Sequence, residues 1–194
     1  MLFRSSSPPL LPHSHPLLGF QYLNPRRRLE PIDLPPTLLD AHFLHFVCSP
    51  SRALIIHSQL APLAFSPALV YEPIPDSCVP ASLDALREVL PHIAVFSPNH
   101  EEAAAFFGLD VDEVEQRGKA GIESVARRFV EEGAGGAVVI RSGRLGAFGI
   151  GKGVSEGGVW VPAYWENGDK VADVTGAGNS FLVSCFSGWW RGRS

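Results

Sequence analysis

Apolar and polar positions along this chain change between two periods, and the changes mark out its elements. Ala41-His42-Phe43-Leu44-His45-Phe46-Val47 is a short apolar run that predicts a buried strand. A helix is predicted within Ser51 to Leu60, and Ala68 to Glu72 predicts the next strand. Pro73 and Pro75 end that strand, since neither can donate to a sheet ladder. From Ser82 to Leu90 the apolar residues fall at Leu83, Leu86, Val89 and Leu90, the spacing of an amphipathic helix. Ile93-Ala94-Val95-Phe96 is wholly apolar, as strands inside parallel sheets are. Asn99 to Phe107 predicts a helix stopped by Gly108. Another follows at Ile122 to Glu132, with Ile122, Val125, Phe129 and Val130 on one face and Gly133 at its end. Ala137 to Arg141 is the next strand, and Gly146 to Ile150 and Val159 to Ala163 extend the sheet as an antiparallel edge. Strands alternating with helices predict an α/β domain with a mainly parallel sheet.

Composition divides the chain in two. Fourteen of the 17 prolines lie within the first 80 residues, and 18 of the 19 glycines lie beyond residue 100. Residues 1–34 therefore read as an irregular, proline-rich segment, and residues 35–194 as the folded domain. At 194 residues and 45% hydrophobic, the chain has enough apolar material for one core.

Charge and cysteine usage narrow the function classes. A net charge of −4 argues against nucleic acid as the main partner. Arg26-Arg27-Arg28 is the only basic run, read either as a solvated loop or as a phosphate contact. Cys48, Cys78 and Cys185 are odd in number and widely spaced, with no Cys-x-x-Cys, which suits a reducing cytoplasm and packing roles. No run of 18 apolar residues is present, so no membrane partner is expected. Before Glu30 there is no acidic residue, a bias shared with mitochondrial targeting segments. Pro8, Pro9, Pro12 and Pro16 would interrupt the helix such a segment needs, so a cytoplasmic location is the expectation.

The candidate chemistry lies near the C-terminal end. Asp173-Val174-Thr175-Gly176-Ala177-Gly178-Asn179 follows a short apolar segment and runs into Ser180-Phe181-Leu182-Val183, which can continue as a helix. Gly176, Ala177 and Gly178 would leave backbone N–H groups open to an anion, and a helix start adds a partial positive charge there. Such a loop suits a transferring phosphoryl group, although a glycine-rich turn without ligand has the same pattern. Upstream lies Ser97-Pro98-Asn99-His100-Glu101-Glu102-Ala103, and between the two lies Ala137-Val138-Val139-Ile140-Arg141-Ser142-Gly143 with Gly146-Ala147 beyond it. Asn99 and Glu102 also have the spacing of a helix capping box. Ser142 and Gly143 end a strand, where open α/β sheets place ligands, or else simply form a turn. No Gly-x-x-x-x-Gly-Lys-Ser/Thr is present, which excludes an ordinary P-loop.

Three such motifs in this order resemble the PfkB carbohydrate kinase family, the ribokinase-like sugar and nucleoside kinases. The resemblance covers roughly Leu38 to Trp190. It implies a ribokinase-like α/β fold in which a mainly parallel sheet is flanked by helices. It also implies an ATP-dependent phosphotransferase acting on a sugar-like hydroxyl. In that reading Gly176, Ala177 and Gly178 form the anion hole, and Ser142, Gly143 and Asn99 contact the nucleotide. Glu102 organises Mg²⁺ through water, and Asp173 either sits near a monovalent cation such as K⁺ or caps the turn. Arg141 and Arg144 flank Ser142 and are candidate phosphate contacts.

One position departs from the pattern. The family's last signature residue is an Asp that takes the proton from the substrate hydroxyl, and here it is Asn179. A carboxamide offers an acceptor oxygen but does not take up a proton at useful pH. General acid–base help is typically worth about 10²–10⁴-fold in rate. Phosphoryl transfer relies heavily on positioning and charge stabilisation, which Asn179 leaves intact. The expectation is thus a weakened kinase or, alternatively, a non-catalytic nucleotide-binding or regulatory protein. The chain is similar to a divergent eukaryotic subgroup that carries Asn here, with a Glu-Pro-x-Pro-Asp-Ser-Cys stretch like Glu72 to Cys78. Family members are longer, and nothing here resembles their first strand or their sugar-holding Gly-Gly element, so a fragment lacking N-terminal and C-terminal parts of the fold is expected.

Overall fold

A computed structural model describes residues 28–63, 67–165, 176–178 and 180–182. Within them, one sheet of six strands runs in simple sequence order: β1 (Phe43–Cys48), β2 (Ala68–Pro73), β3 (Val95–Phe96), β4 (Ala137–Arg141), β5 (Ala147–Gly151) and β6 (Val159–Val161). The first four strands are parallel, and β5 and β6 fold back antiparallel as an edge. Crossovers between parallel strands carry α2 (Pro50–Leu60), α3 (Leu83–Val89), α4 (His100–Phe106), α5 (Val111–Gln116) and α6 (Lys119–Glu131), after a single-turn α1 (Pro36–Leu39). The mainly parallel sheet flanked by helices is the ribokinase-like architecture expected.

Alternation along the strands sets the two faces of the sheet. One face carries Phe46, Tyr71, Phe96, Val138, Ile140 and Phe148, and packs against Ile56 and Leu60 of α2, Leu86 of α3, Phe106 of α4 and Phe129 of α6. Its rings are in register: Phe46 and Tyr71 stack with centroids 5.4 Å apart, Tyr71 meets Phe96 at 5.4 Å, and Phe96 meets Phe129 edge-on at 5.1 Å. Each such buried side chain contributes about 1.5–3 kcal/mol. The opposite face holds a smaller cluster of Val70, Val95 and Ala137, with Phe43, Val139 and Val154 beside it. There Phe181 and Leu182 border an apolar cavity of about 370 Å³ against Val95, Ala137, Val139 and Val161.

Most elements fall where the sequence predicts them, and the exceptions have local causes. The strand expected from Ile93 is confined to Val95–Phe96, because a 3₁₀ turn at Leu90–His92 delivers the chain late. Ala94 N–H still donates to Leu69 O at 2.9 Å. Helix α5 was not predicted: only Val114 is buried along it, too few apolar positions to show a period. It forms because the Asp110 side chain accepts from the N–H of Asp112 and Glu113 at 2.8 and 3.4 Å. α6 begins at Lys119, three residues before its apolar stripe, where Gly121 lies against the backbone carbonyl of Val114. Gly108, at φ +61°, follows α4 as expected. Of the segment expected to be irregular up to residue 34, the described part holds only a 3₁₀ turn at Pro31–Asp33.

Candidate functional site

The carboxyl ends of β2, β3 and β4 converge on one charged cluster. β2 runs through apolar residues to Glu72 and Pro73, so a carboxylate stands at the end of a buried strand. Its side chain is 6% exposed. After β3 the chain passes through Ser97 and Pro98 to Asn99, which bridges to Arg141 at the end of β4. Arg141 N–H donates to Pro98 O at 3.1 Å, holding the two segments together.

Asn99 is the N-cap of α4, and the capping box is complete. Asn99 Oδ1 accepts from Glu102 N–H at 2.8 Å, while Glu102 Oε2 accepts from Asn99 N–H at 2.7 Å. The structural explanation for this pair is therefore satisfied in full. Glu102 is nevertheless buried and turned toward the cluster, with Oε2 lying 3.8 Å from Arg141 Nη2. Burial raises its carboxyl above the ordinary carboxylate range, opposed by the Asn99 N–H and the Arg141 guanidinium and reinforced by Glu72.

Arg141 is the hub. Its Nη2 lies 2.8 Å from Glu72 Oε2 and donates to Ser97 O at 3.1 Å. Glu72 Oε1 lies 2.6 Å from His45 Nε2, so the buried carboxylate is engaged from both sides. Nε of Arg141 is buried with no hydrogen-bond partner among the described residues, as are the hydroxyls of Ser97 and Ser142.

The glycine loop comes to rest on this hub. Residues 177, 178 and 180–182 are helical, and Gly176 precedes them at φ +76°, a conformation that favours glycine. A Cβ at Gly178 would overlap Nη1 of Arg141 and force the guanidinium to shift, with Glu72 Oε2 at 3.8 Å. The loop, Arg141, Glu72 and Glu102 thus form one constellation, although they come from four separate stretches of sequence.

Other predicted residues are placed differently. Ser142 is buried at the end of β4, its N–H donating to Gly146 O at 2.8 Å, and its side chain takes part in none of the contacts that join the cluster. Gly143 opens an exposed 3₁₀ turn at Gly143–Leu145, φ +51°, and Arg144 beside it is exposed. Ala177 is exposed. Asp173 and Asn179 lie outside the described residues. No group of three or more His, Cys, Asp or Glu is arranged to hold a metal ion among the described residues. Sequence reading gave Arg141 as a flanking arginine and candidate phosphate contact, and assigned no role to Glu72 or His45. The available signal was an acid and a base, each closing an otherwise apolar strand.

Comparison with known proteins covers both site and scaffold. A family model described as pfkB family carbohydrate kinase matches residues 64–194. An uncharacterized protein of Schizosaccharomyces pombe is 28% identical over 188 residues, covering 89% of this chain and 52% of its own. Protein MAK32 of Saccharomyces cerevisiae is 29% identical over 185 residues, covering 87% and 50%. The chain spans about half the length of these curated relatives. Among solved structures, Anopheles gambiae adenosine kinase in complex with P1,P4-di(adenosine-5) tetraphosphate superposes with a TM-score of 0.58 at 19% identity, covering 82% of this chain and 47% of that one.

Proposed function

The chain belongs to the pfkB family of carbohydrate kinases, and from that premise we propose that it is a phosphotransferase scaffold that binds ATP and acts weakly on a sugar-like hydroxyl. The observation that carries the reading is the contact between Gly178 and Arg141, which draws the glycine loop onto the carboxylates of Glu72 and Glu102. Amides of residues 176–178 and a guanidinium on one spot suit the equatorial oxygens of a phosphoryl group. Asn99 would lie beside the phosphates while capping α4, and Ser142 and Gly143 would border the nucleotide from the end of β4. A solved structure with the same fold is a nucleoside kinase, consistent with an acceptor hydroxyl on a ribose-like ring.

The family resemblance implies Mg²⁺ alongside ATP, with Glu102 as its organiser through water. Glu102 Oε2 already accepts from Asn99 N–H and faces a guanidinium, and Glu72 is held by His45 and Arg141. Those contacts leave no pair of carboxylates free for a divalent ion. A K⁺ role for Asp173 belongs to the same reading.

Asn179 supports a second reading, a nucleotide-binding or regulatory protein without chemistry, because no carboxylate stands at that signature position. One experiment separates the two. ATP binding and ADP release are measured for the full chain and its Asn179→Asp variant over a panel of sugars and nucleosides. Both should bind ATP, and the variant should turn over about 10²-fold faster or more. Binding without turnover in either protein selects the regulatory reading. Absence of ATP binding in both overturns the proposal.

A further inference from the structure

We infer that Arg141 is a built-in cation for phosphate, so that this site takes a nucleoside triphosphate or other polyphosphate without a divalent metal ion. The inference rests on the reading above that the site receives a phosphorylated ligand, and it adds what neutralises that ligand.

The first support is position. Arg141 stands between two buried carboxylates, with Nη2 at 2.8 Å from Glu72 and 3.8 Å from Glu102. A divalent ion seated between those carboxylates would have to displace the guanidinium that bridges them. His45, the next possible ligand at the cluster, is itself bound to Glu72, and no group of three or more His, Cys, Asp or Glu among the described residues could hold a metal ion.

The second is the account of donors. A guanidinium carries five N–H groups in a planar fork and stays charged at every working pH. Among the described residues, Nη2 is the nitrogen spent on Glu72 and Ser97 O. Nη1 is turned to the glycine loop, close enough that a Cβ at Gly178 would displace it. Nε is buried without a partner among the described residues, and an unpaired buried donor calls for an explanation. A ligand held at the loop amides would meet Nη1 directly.

The third is orientation. Glu72, itself held by His45, fixes which way the fork points, which makes it a positioning residue rather than a ligand contact. Arginine recognises phosphate through charge-assisted hydrogen bonds, and a fork that is already fixed loses little freedom on binding.

Calorimetric titration of the full chain with ATP and with inorganic tripolyphosphate, each in EDTA and in excess Mg²⁺, tests this. The expected result is affinity in EDTA within about threefold of that in Mg²⁺ for both ligands. Arg141→Met should lose at least tenfold in EDTA, and Arg141→Lys should fall between. Because Arg141→Met strands two buried carboxylates, Glu72→Gln/Arg141→Met serves as the folded control and should lose binding equally. Gly178→Ala, which pushes the guanidinium aside while keeping its charge, should weaken EDTA binding several-fold. A tenfold or greater requirement for Mg²⁺ would overturn the inference while leaving the ATP-binding reading in place, and so would wild-type affinity in the double variant. Arg141-dependent tripolyphosphate binding in EDTA without ATP binding would uphold the inference and remove the nucleotide reading. No binding of either ligand under any condition overturns both.

Discussion

Nη2 of Arg141 lies 2.8 Å from Oε2 of Glu72, and the pair ties the end of β4 to the end of β2 across the whole width of β3. The two side chains are 20% and 6% exposed, so removing one partner leaves a mostly desolvated charge behind. Such losses typically cost about 3–5 kcal/mol. Urea unfolding should show a loss of that order for Glu72→Gln and for Arg141→Met. Glu72→Gln/Arg141→Met should cost clearly less than the sum of the singles. Single-variant losses under about 1 kcal/mol would show the pair to be solvated and structurally idle.

Gly176 and Gly178 are required for different reasons, and substitution separates them. Alanine at 176 meets no neighbour within 4 Å but must adopt φ +76°, costing about 1–2 kcal/mol. Alanine at 178 collides with the Arg141 guanidinium. Shortening Arg141 to alanine should therefore relieve the Gly178→Ala cost and leave the Gly176→Ala cost unchanged. The double-mutant cycle between 141 and 178 should give a coupling above about 0.5 kcal/mol. Zero coupling would place the loop away from Arg141.

Cys48 and Cys78 are buried, and their thiols are held in the neutral form. Burial pushes Cys48 up to about 11, partly offset by Arg52, and Cys78 up to about 12, with Glu102 adding to the rise. Raised folded-state values mean the native protein holds these protons more tightly than the unfolded chain does. The thiols accordingly add stability that is complete below about pH 9.0 and lost as pH climbs toward 11–12. Peptide mapping after iodoacetamide treatment at pH 8 should find both unmodified in the native protein and both modified in urea. Rapid native labelling of either would contradict the burial.

The scaffold was legible because its elements carry strong periods. Ala137 to Arg141 and the stripe Ile122, Val125 and Phe129 were readable directly, since buried parallel strands and amphipathic helices are apolar in distinct patterns. α5 was not, because a capping Asp and one buried valine leave almost no hydrophobic trace. The motif residues Asn99, Glu102 and Gly178 were singled out from their spacing and their resemblance to a family. What they share was not, because Glu72 and Arg141 belong to different strands that meet only after β3 is inserted between them. Ser142 shows the converse: its strand-end position was correctly read, while Arg141 one residue earlier makes the contacts that join the cluster.

Asn99 is both a helix cap and a candidate phosphate neighbour, and a change of charge at one atom tells the roles apart. Its Oδ1 accepts from Glu102 N–H at 2.8 Å, a job aspartate performs equally well at an N-cap. Asn99→Asp should therefore leave stability within about 0.5 kcal/mol, whereas Asn99→Ala should cost about 1 kcal/mol. The aspartate also places a second negative charge beside Glu102, in front of any bound phosphate. Affinity for ATP or tripolyphosphate should then fall several-fold at low salt, with the loss shrinking as ionic strength rises. Asn99→Ala, which removes the cap without adding charge, should bind much closer to wild type once its lower stability is allowed for. Unchanged affinity in Asn99→Asp would confine this residue to capping α4 and move the phosphate site away from its N-terminal turn.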